Sequence, residues 1–501
     1  MLHAPCSKLC IMNAFDYFFE NTYSLDKKFL VGNEEITFRQ LHARSMALAG
    51  ALKKDLGEGK NVILLSPNNV FFMVVYLGVI KSGNIVVPLD PMIEAENFEY
   101  IRNFSEAEMI FATPQAKKRL QLEDGEVIVE LGTETPAAAR TKQPLPSELM
   151  PTVPFDRERI AEIIFTSGST GKPKGVLLSH KNIVANTTSI VEYLDLDRDD
   201  RMLVVLPFYY CYGLSLLHSH LRVGGSLVFN NSFIFLGAVI NDLKDHNCTG
   251  FAGVPSHFQI LLRKSDSFKS MEFPQLKYVT QAGGKLATVF IDEFRKAHPQ
   301  VDFVVMYGQT EATARLSYLP VELYEERKGS IGKGIPGVTL KVVSKSGKEV
   351  KTGETGEVIA RGDNVMPGYF KDEASTGNTI RDGWLFTGDL GTVDDHGFIY
   401  LTARSKEIIK VGGKRISPKE IEAVILELTD VVDCSIEGVE DEIMGEALKA
   451  IVTVNTGSEI SVDQLKEHCA AKLELYKVPQ IIEVKDRMEM SATGKKVKKI
   501  N

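Results

Sequence analysis

Residues 166–176, Thr-Ser-Gly-Ser-Thr-Gly-Lys-Pro-Lys-Gly-Val, put four hydroxyls, three glycines and two lysines between two apolar runs, 160–165 and 176–178. Glycine lets backbone N–H groups turn towards an anion, hydroxyls donate further hydrogen bonds, and lysines supply charge, so the segment suits a polyphosphate such as ATP. The expected nucleotide loop is Thr166, Ser167, Gly168, Ser169, Thr170, Gly171, Lys172, Lys174 and Gly175. A Walker P-loop would need a Ser or Thr after the lysine to ligate magnesium. Lys172 is followed by Pro173, so that reading fails at the metal-holding position. A flexible linker fits poorly with two lysines and strand-like flanks.

The loop resembles the phosphate signature of the acyl-adenylate-forming, or AMP-binding, enzymes, which include acyl-CoA synthetases, stand-alone adenylation enzymes and luciferases. Six further segments follow in that family's order: 83–91 (Gly-Asn-Ile-Val-Val-Pro-Leu-Asp-Pro), Tyr307-Gly-Gln-Thr-Glu311, Gly353-Glu-Thr-Gly-Glu357, Trp384-Leu-Phe-Thr-Gly-Asp389, 404–422 and Thr493-Gly-Lys495. The resemblance implies ATP-dependent activation of a carboxylic acid as acyl-AMP, with pyrophosphate released, followed by transfer of the acyl group to a thiol. A carboxylate attacking the α-phosphorus brings two anions together, so cations and N–H donors must neutralise the approach. The resemblance gives Thr310 to the α-phosphate, Glu311 to magnesium, Asp389 and Arg404 to the ribose, and Lys495 to the bridge between substrate carboxylate and α-phosphate. Magnesium favours oxygen ligands and phosphates, so one protein carboxylate suffices. Tyr307 offers adenine a stacking surface, with Gly283, Gly284 and Gly308 giving backbone access. Outside the motifs Glu311 would read as a solvated acid, Gly388-Asp389 as a turn, and Lys495 as part of a basic tail with Lys496, Lys498 and Lys499.

The segment Phe208-Tyr-Tyr-Cys-Tyr212 contains no carboxylate, which disfavours a cationic amino acid, because an unpaired buried ammonium is costly. Tyr209 and Tyr210, with Gly283 and Gly308, are expected to line a pocket for an uncharged aryl, short acyl or alicyclic acid. Residues 411–418 (Val-Gly-Gly-Lys-Arg-Ile-Ser-Pro) resemble the CoA ligases, placing Gly412, Gly413 and Lys414 on the thiol side. CoA is the expected acceptor and a carrier-protein phosphopantetheine the alternative. A different class, an ATP-hydrolysing or phosphotransfer enzyme, would release ADP, and a degenerate nucleotide-binding module would not turn over.

These residues need a scaffold. Strand-like runs alternate with amphipathic segments at 38–56, 71–81 and 183–193, the texture of an α/β protein with doubly wound, largely parallel sheets. Residues 1–402 form the expected adenylation domain, within which 329–402 is β-rich, a small barrel or twisted hairpins. Residues 403–501 read as a small α+β domain, a βαββαβ-like unit whose helices open at Ser417-Pro-Lys-Glu420 and Ser461-x-x-Gln464, both capping boxes. The resemblance makes this domain a mobile lid pivoting at Ala403, where relatives often carry Asp or Lys, so that Lys495 and the Gly-Gly hairpin act in turn.

A chain of 501 residues with 44% hydrophobic content can bury large cores. Its net charge of -8 favours neither nucleic acid nor an anionic membrane as partner. The six cysteines (6, 10, 211, 248, 434, 469) show no ligand spacing and fit reduced thiols. No signal-like apolar core opens the chain, and the apolar run 70–80 is too short to span a bilayer, so a cytoplasmic enzyme without membrane insertion is expected.

Overall fold

The computed structural model describes residues 12–125, 127–129, 155–166, 172–404, 407–441 and 444–485. Residues 167–171 of the phosphate loop, Lys495 and the polar stretch 133–154 lie outside them.

Two large sheets carry the fold. The nine-stranded one runs, in spatial order, Lys333–Gly334, Ser317–Leu319, Asp302–Tyr307, Tyr278–Gln281, Gly250–Gly253, Arg201–Val204, Ser226–Phe229, Lys28–Val31 and Ile36–Thr37. Its six middle strands are parallel, and its outer pairings are antiparallel. The seven-stranded one runs Gly368–Tyr369, Lys174–Ser179, Ile160–Thr166, Ile85–Leu89, Asn61–Leu65, Met109–Ala112 and Val127–Val129. It is parallel except at Lys174–Ser179, which pairs antiparallel with both neighbours. Strands buried on both faces read as continuous apolar runs such as Asn61–Leu65.

Three helices, Val70–Lys81, His180–Tyr193 and Cys211–Val223, share one apolar cluster with the facing sides of both sheets. Val70–Lys81 buries every residue from Phe71 to Ile80, which explains why its sequence is apolar all round rather than along one stripe. At Gly78 a Cβ would lie 2.9 Å from Leu48, so glycine allows this helix to approach its neighbour Phe38–Leu56.

The β-rich region is an antiparallel sheet of Val338–Val343, Gly356–Gly362, Trp384–Val393, Ile380–Arg381 and Ile399–Arg404, the hairpin form of the sequence expectation. The last sheet comprises Ile409–Val411, Lys414–Ile416, Val431–Asp441, Gly445–Val454 and Ile481–Lys485, flanked by helices Pro418–Ile425 and Val462–Lys472. It rests on helix Pro255–Lys264, where Arg263 Nη1 donates to the Thr429 carbonyl at 2.9 Å and Gln259 Nε2 to Asp433 Oδ1 at 3.3 Å. Ser461 and Gln464 form the expected capping box. Ser417 does not: its hydroxyl donates to the Thr402 carbonyl at 2.6 Å, tying the start of its helix to the preceding strand.

Candidate active site

The strand Asp302–Tyr307 ends at Gly308, and the chain turns through Thr310–Ala312 in a single 3-10 turn. A Cβ at Gly308 would stand 1.9 Å from the Ala314 carbonyl oxygen, so only glycine lets the chain fold back this tightly. The Leu316 N–H donates to the Tyr307 carbonyl at 2.8 Å and closes the turn.

Tyr307 donates its hydroxyl to Asp389 Oδ2 at 2.7 Å, and Arg404 donates Nε to Asp389 Oδ1 at 2.9 Å. Asp389 and Arg404 meet because they are cross-strand partners in the antiparallel pair Trp384–Val393 and Ile399–Arg404. The Asp389 side chain is 7% exposed and that of Arg404 59%, so a buried acid faces a solvated cation. The Asp389 charge raises the Arg404 guanidinium, while burial, reinforced by Asp389, pushes the Tyr307 phenol well above its ordinary value. A carboxylate has about four acceptor sites. Two are taken here, which leaves room for ligand hydroxyls.

On the same turn, Tyr369 donates its hydroxyl to Glu311 Oε1 at 2.8 Å. It is the only side-chain hydrogen bond of Glu311 among the described residues, leaving hard oxygen lone pairs of the kind magnesium prefers. Among the described residues no group of three or more His, Cys, Asp or Glu is placed to hold a metal ion. Thr310 Oγ1 lies 3.4 Å from Cys211 Sγ, which joins this turn to the start of helix Cys211–Val223.

The described residues on either side of the expected phosphate loop, Thr166 and Lys174, oppose each other in an antiparallel pair. Lys174 is engaged by the Ser375 hydroxyl, by Asp372 Oδ2 at 3.5 Å and by the Tyr369 ring at 5.2 Å. Lys172 lies 5.5 Å from the Tyr100 ring centre. Gly175 sits within a strand, and a Cβ there would meet Ile163 at 2.8 Å. Gly283 adopts φ +85°, and the Gly284 carbonyl accepts from Gln281 Nε2 at 2.8 Å.

The residues expected on the acyl side lie at the corner before helix Cys211–Val223. Asn68 clamps it, donating to the Leu206 carbonyl at 2.9 Å and accepting from the Phe208 N–H at 2.8 Å. A Cβ at Gly213 would fall 2.1 Å from the Pro207 carbonyl, so the helix packs directly on this corner. Burial and the Asp90 carboxylate raise the Tyr209 phenol, which brings the 83–91 motif to this wall. The Tyr210 phenol is raised chiefly by burial and feels Arg315, Arg404 and Glu311 together. Gly412 and Gly413, at φ +54° and +79°, make the two-residue turn between Val411 and Lys414. Their recorded contacts stay in their own domain: the Gly412 N–H donates to the Met444 carbonyl at 3.0 Å, and Lys414 lies over Tyr476 at 3.6 Å.

Sequence reasoning missed Tyr369, Asn68 and Arg315, and gave Asp90, within the 83–91 motif, no role. The signal for Arg315 was a lone charge in the otherwise neutral run Ala312-Thr-Ala-Arg-Leu316. Nothing local distinguishes Tyr369, whose partner is 58 residues away.

Residues 19–370 match the family model of the AMP-binding enzyme, and residues 420–495 that of the AMP-binding enzyme C-terminal domain. The chain is 30% identical to the long-chain-fatty-acid–CoA ligase of Yersinia pestis, over 95% of this chain and 92% of that one. It is equally 30% identical to the 2-succinylbenzoate–CoA ligase of Bacillus licheniformis, covering 93% and 94%. Among solved structures, ATP-bound MatB from Rhodopseudomonas palustris superposes with TM-score 0.86 at 26% identity, covering 97% of each chain. The anthranilate CoA ligase AuaEII with anthranoyl-AMP superposes with TM-score 0.87 at 25% identity, covering 97% of this chain and 96% of that one. The chain belongs to the AMP-binding enzyme family and is an AMP-forming acid–CoA ligase.

Proposed function

We propose that the corner formed by Tyr307, Thr310, Glu311, Asp389 and Arg404 binds the nucleoside end of MgATP and that this site makes an acyl-CoA in two steps. The meeting of Tyr307 and Arg404 on a buried carboxylate, beside the Thr310–Ala312 turn, is the observation that supports this reading most directly. Asp389 keeps unused acceptor sites for the ribose hydroxyls, and Glu311 supplies an oxygen ligand to the magnesium that travels with ATP. The hydroxyls of residues 166–170, with Lys172 and Lys174, hold the β- and γ-phosphates.

In the first step a carboxylate oxygen of the acid attacks the α-phosphorus, the bond to the β-phosphate oxygen breaks, and pyrophosphate leaves. Lys495 offsets the meeting of the two anions. In the second, the CoA sulfur attacks the acyl carbonyl carbon, the thiol proton passes to solvent, and AMP leaves. Gly412, Gly413 and Lys414 shape the thiol approach after the domain beginning near Ala403 has moved. The CoA-ligase names of the relatives support CoA rather than a carrier protein as acceptor.

The test is acid-dependent ATP–pyrophosphate exchange, followed by mass analysis of the products with CoA. Wild type should release AMP and pyrophosphate, and Lys495→Ala should lose exchange by about 10²-fold or more. ADP as the product, or normal exchange in Lys495→Ala, would overturn the assignment.

A further inference from the structure

We infer that the acid accepted by this site carries a second carboxylate, and that Arg315 receives it. The inference rests on the ligase reading above and narrows its substrate class. It replaces the uncharged acid expected from Tyr209 and Tyr210.

Arg315 is 2% exposed. A guanidinium this deep is normally paired with an acid, because an uncompensated buried charge is costly. Among the described residues it has only neutral partners. Nε donates to Met306 Sδ and Nη2 to Ser215 Oγ, each at 3.3 Å, and the guanidinium carbon lies 4.0 Å from the Tyr212 ring centre. The Tyr193 hydroxyl is near enough for the Arg315 charge to draw its phenol down against the effect of burial. The bond to Ser215 is long for a charged donor, and neither acceptor carries charge. The surroundings resemble a seat for a cation awaiting its anion.

The backbone fixes that seat. The Arg315 carbonyl accepts from Asn186 Nδ2 at 3.1 Å and Asn364 Nδ2 at 2.8 Å. The close return past Gly308 keeps Arg315 against the Tyr307–Glu311 motif. Tyr212, which the guanidinium covers, follows Cys211, whose sulfur touches Thr310. The Tyr210 phenol, raised chiefly by burial, feels Arg315, Arg404 and Glu311 together. Arg315 is therefore linked through Tyr212 and Cys211 to Thr310, on the side where the acid is expected.

A single guanidinium matches the charge of a single carboxylate and presents a planar fork to it. A phosphate dianion would call for more than one cation. The short step from Thr310 favours a compact diacid, aliphatic or aryl. One carboxylate enters the adenylate while the other stays on Arg315.

The experiment compares pyrophosphate exchange with diacids and with monoacids of the same skeleton, in which a methyl replaces the distal carboxylate. Wild type should favour the diacid. In Arg315→Met the diacid-to-monoacid ratio of kcat/KM should fall by about 10²-fold, with most of the loss in KM for the diacid. Arg315→Lys, which keeps the charge but loses the fork, should weaken the preference without reversing it. It also serves if the methionine variant does not fold. Protection of the wild-type melting temperature by diacid over monoacid gives a readout free of turnover. Exchange with monoacids alone, or an unchanged ratio in Arg315→Met, overturns this inference and leaves the ligase reading standing. No exchange with any acid overturns both.

Discussion

Asp389 takes one hydrogen bond on each carboxylate oxygen, from Tyr307 and from Arg404, so asparagine in its place removes the charge that holds both. Asn offers one acceptor oxygen in place of two and leaves Arg404 without its counter-ion. Asp389→Asn should therefore raise KM for ATP by about 10- to 100-fold while shifting KM for the acid far less. If the residue only braces its hairpin, melting temperature will fall and KM for ATP will not move. Asp389 was legible in the sequence because Thr-Gly-Asp within a longer motif is distinctive, and Arg404 for the same reason. Arg315 was not legible, since its meaning depends on Met306, Ser215 and Tyr212 being neutral and adjacent. Type and spacing reveal a group that belongs to a motif; they do not reveal which partner is missing in space.

Elements were legible where local chemistry and tertiary demand agree. Helix Phe38–Leu56 lies where its amphipathic pattern places it, and a capping box that Thr37 and Gln40 permit forms at its start. The box at Ser417 was written too, but a tertiary partner, the Thr402 carbonyl, takes the hydroxyl. Strand Lys414–Ile416 escaped notice because three residues are too few to display a period. Polar contacts between elements were also invisible. Tyr76, on helix Val70–Lys81, donates to Glu162 Oε2 at 2.7 Å and shares a 2.8 Å hydrogen bond with His218 Nε2, so one phenol joins two helices to strand Ile160–Thr166. Burial raises the Glu162 carboxyl to about 7, against a lesser lowering by Tyr76. A folded value above the ordinary 4.5 means that its stability contribution is whole below about pH 4.5 and is lost as pH rises through 7. Glu162→Gln keeps an acceptor for Tyr76 and cannot ionise. Its stability relative to wild type should therefore rise between pH 5 and pH 8, by up to about 3 kcal/mol in denaturant unfolding. A difference independent of pH would remove the buried carboxyl from the account.

At the scale of the molecule, only residues 183–193 of the helical layer between the two sheets showed an apolar stripe in the sequence. Val70–Lys81, expected to be amphipathic, is apolar all round because it is buried on every side, and the effect of burial on proton binding emerges only once the fold closes. Burial pushes His180, His218 and His257 down to about 3, and His42 and His220 down to about 4. Each is depressed below the ordinary 6.5, so each contributes stability that is present above pH 6.5 and lost as pH falls towards its folded value. Glu162 works in the opposite sense between about 4.5 and 7, offsetting one of these protons. Near pH 5, unfolding should therefore take up about four protons net, steepening the stability curve to roughly 5 kcal/mol per pH unit. These histidines lie on helices Phe38–Leu56, His180–Tyr193, Cys211–Val223 and Pro255–Lys264, so acid should attack the large sheets' packing broadly rather than at one end. Melting temperature followed from pH 7.5 to 4.5 should hold above about pH 6.5 and drop sharply below it, together with loss of the near-ultraviolet signal of the buried tyrosines. A slope equivalent to one proton or fewer would mean that the imidazoles are protonated inside the fold, and that their buried surroundings admit water.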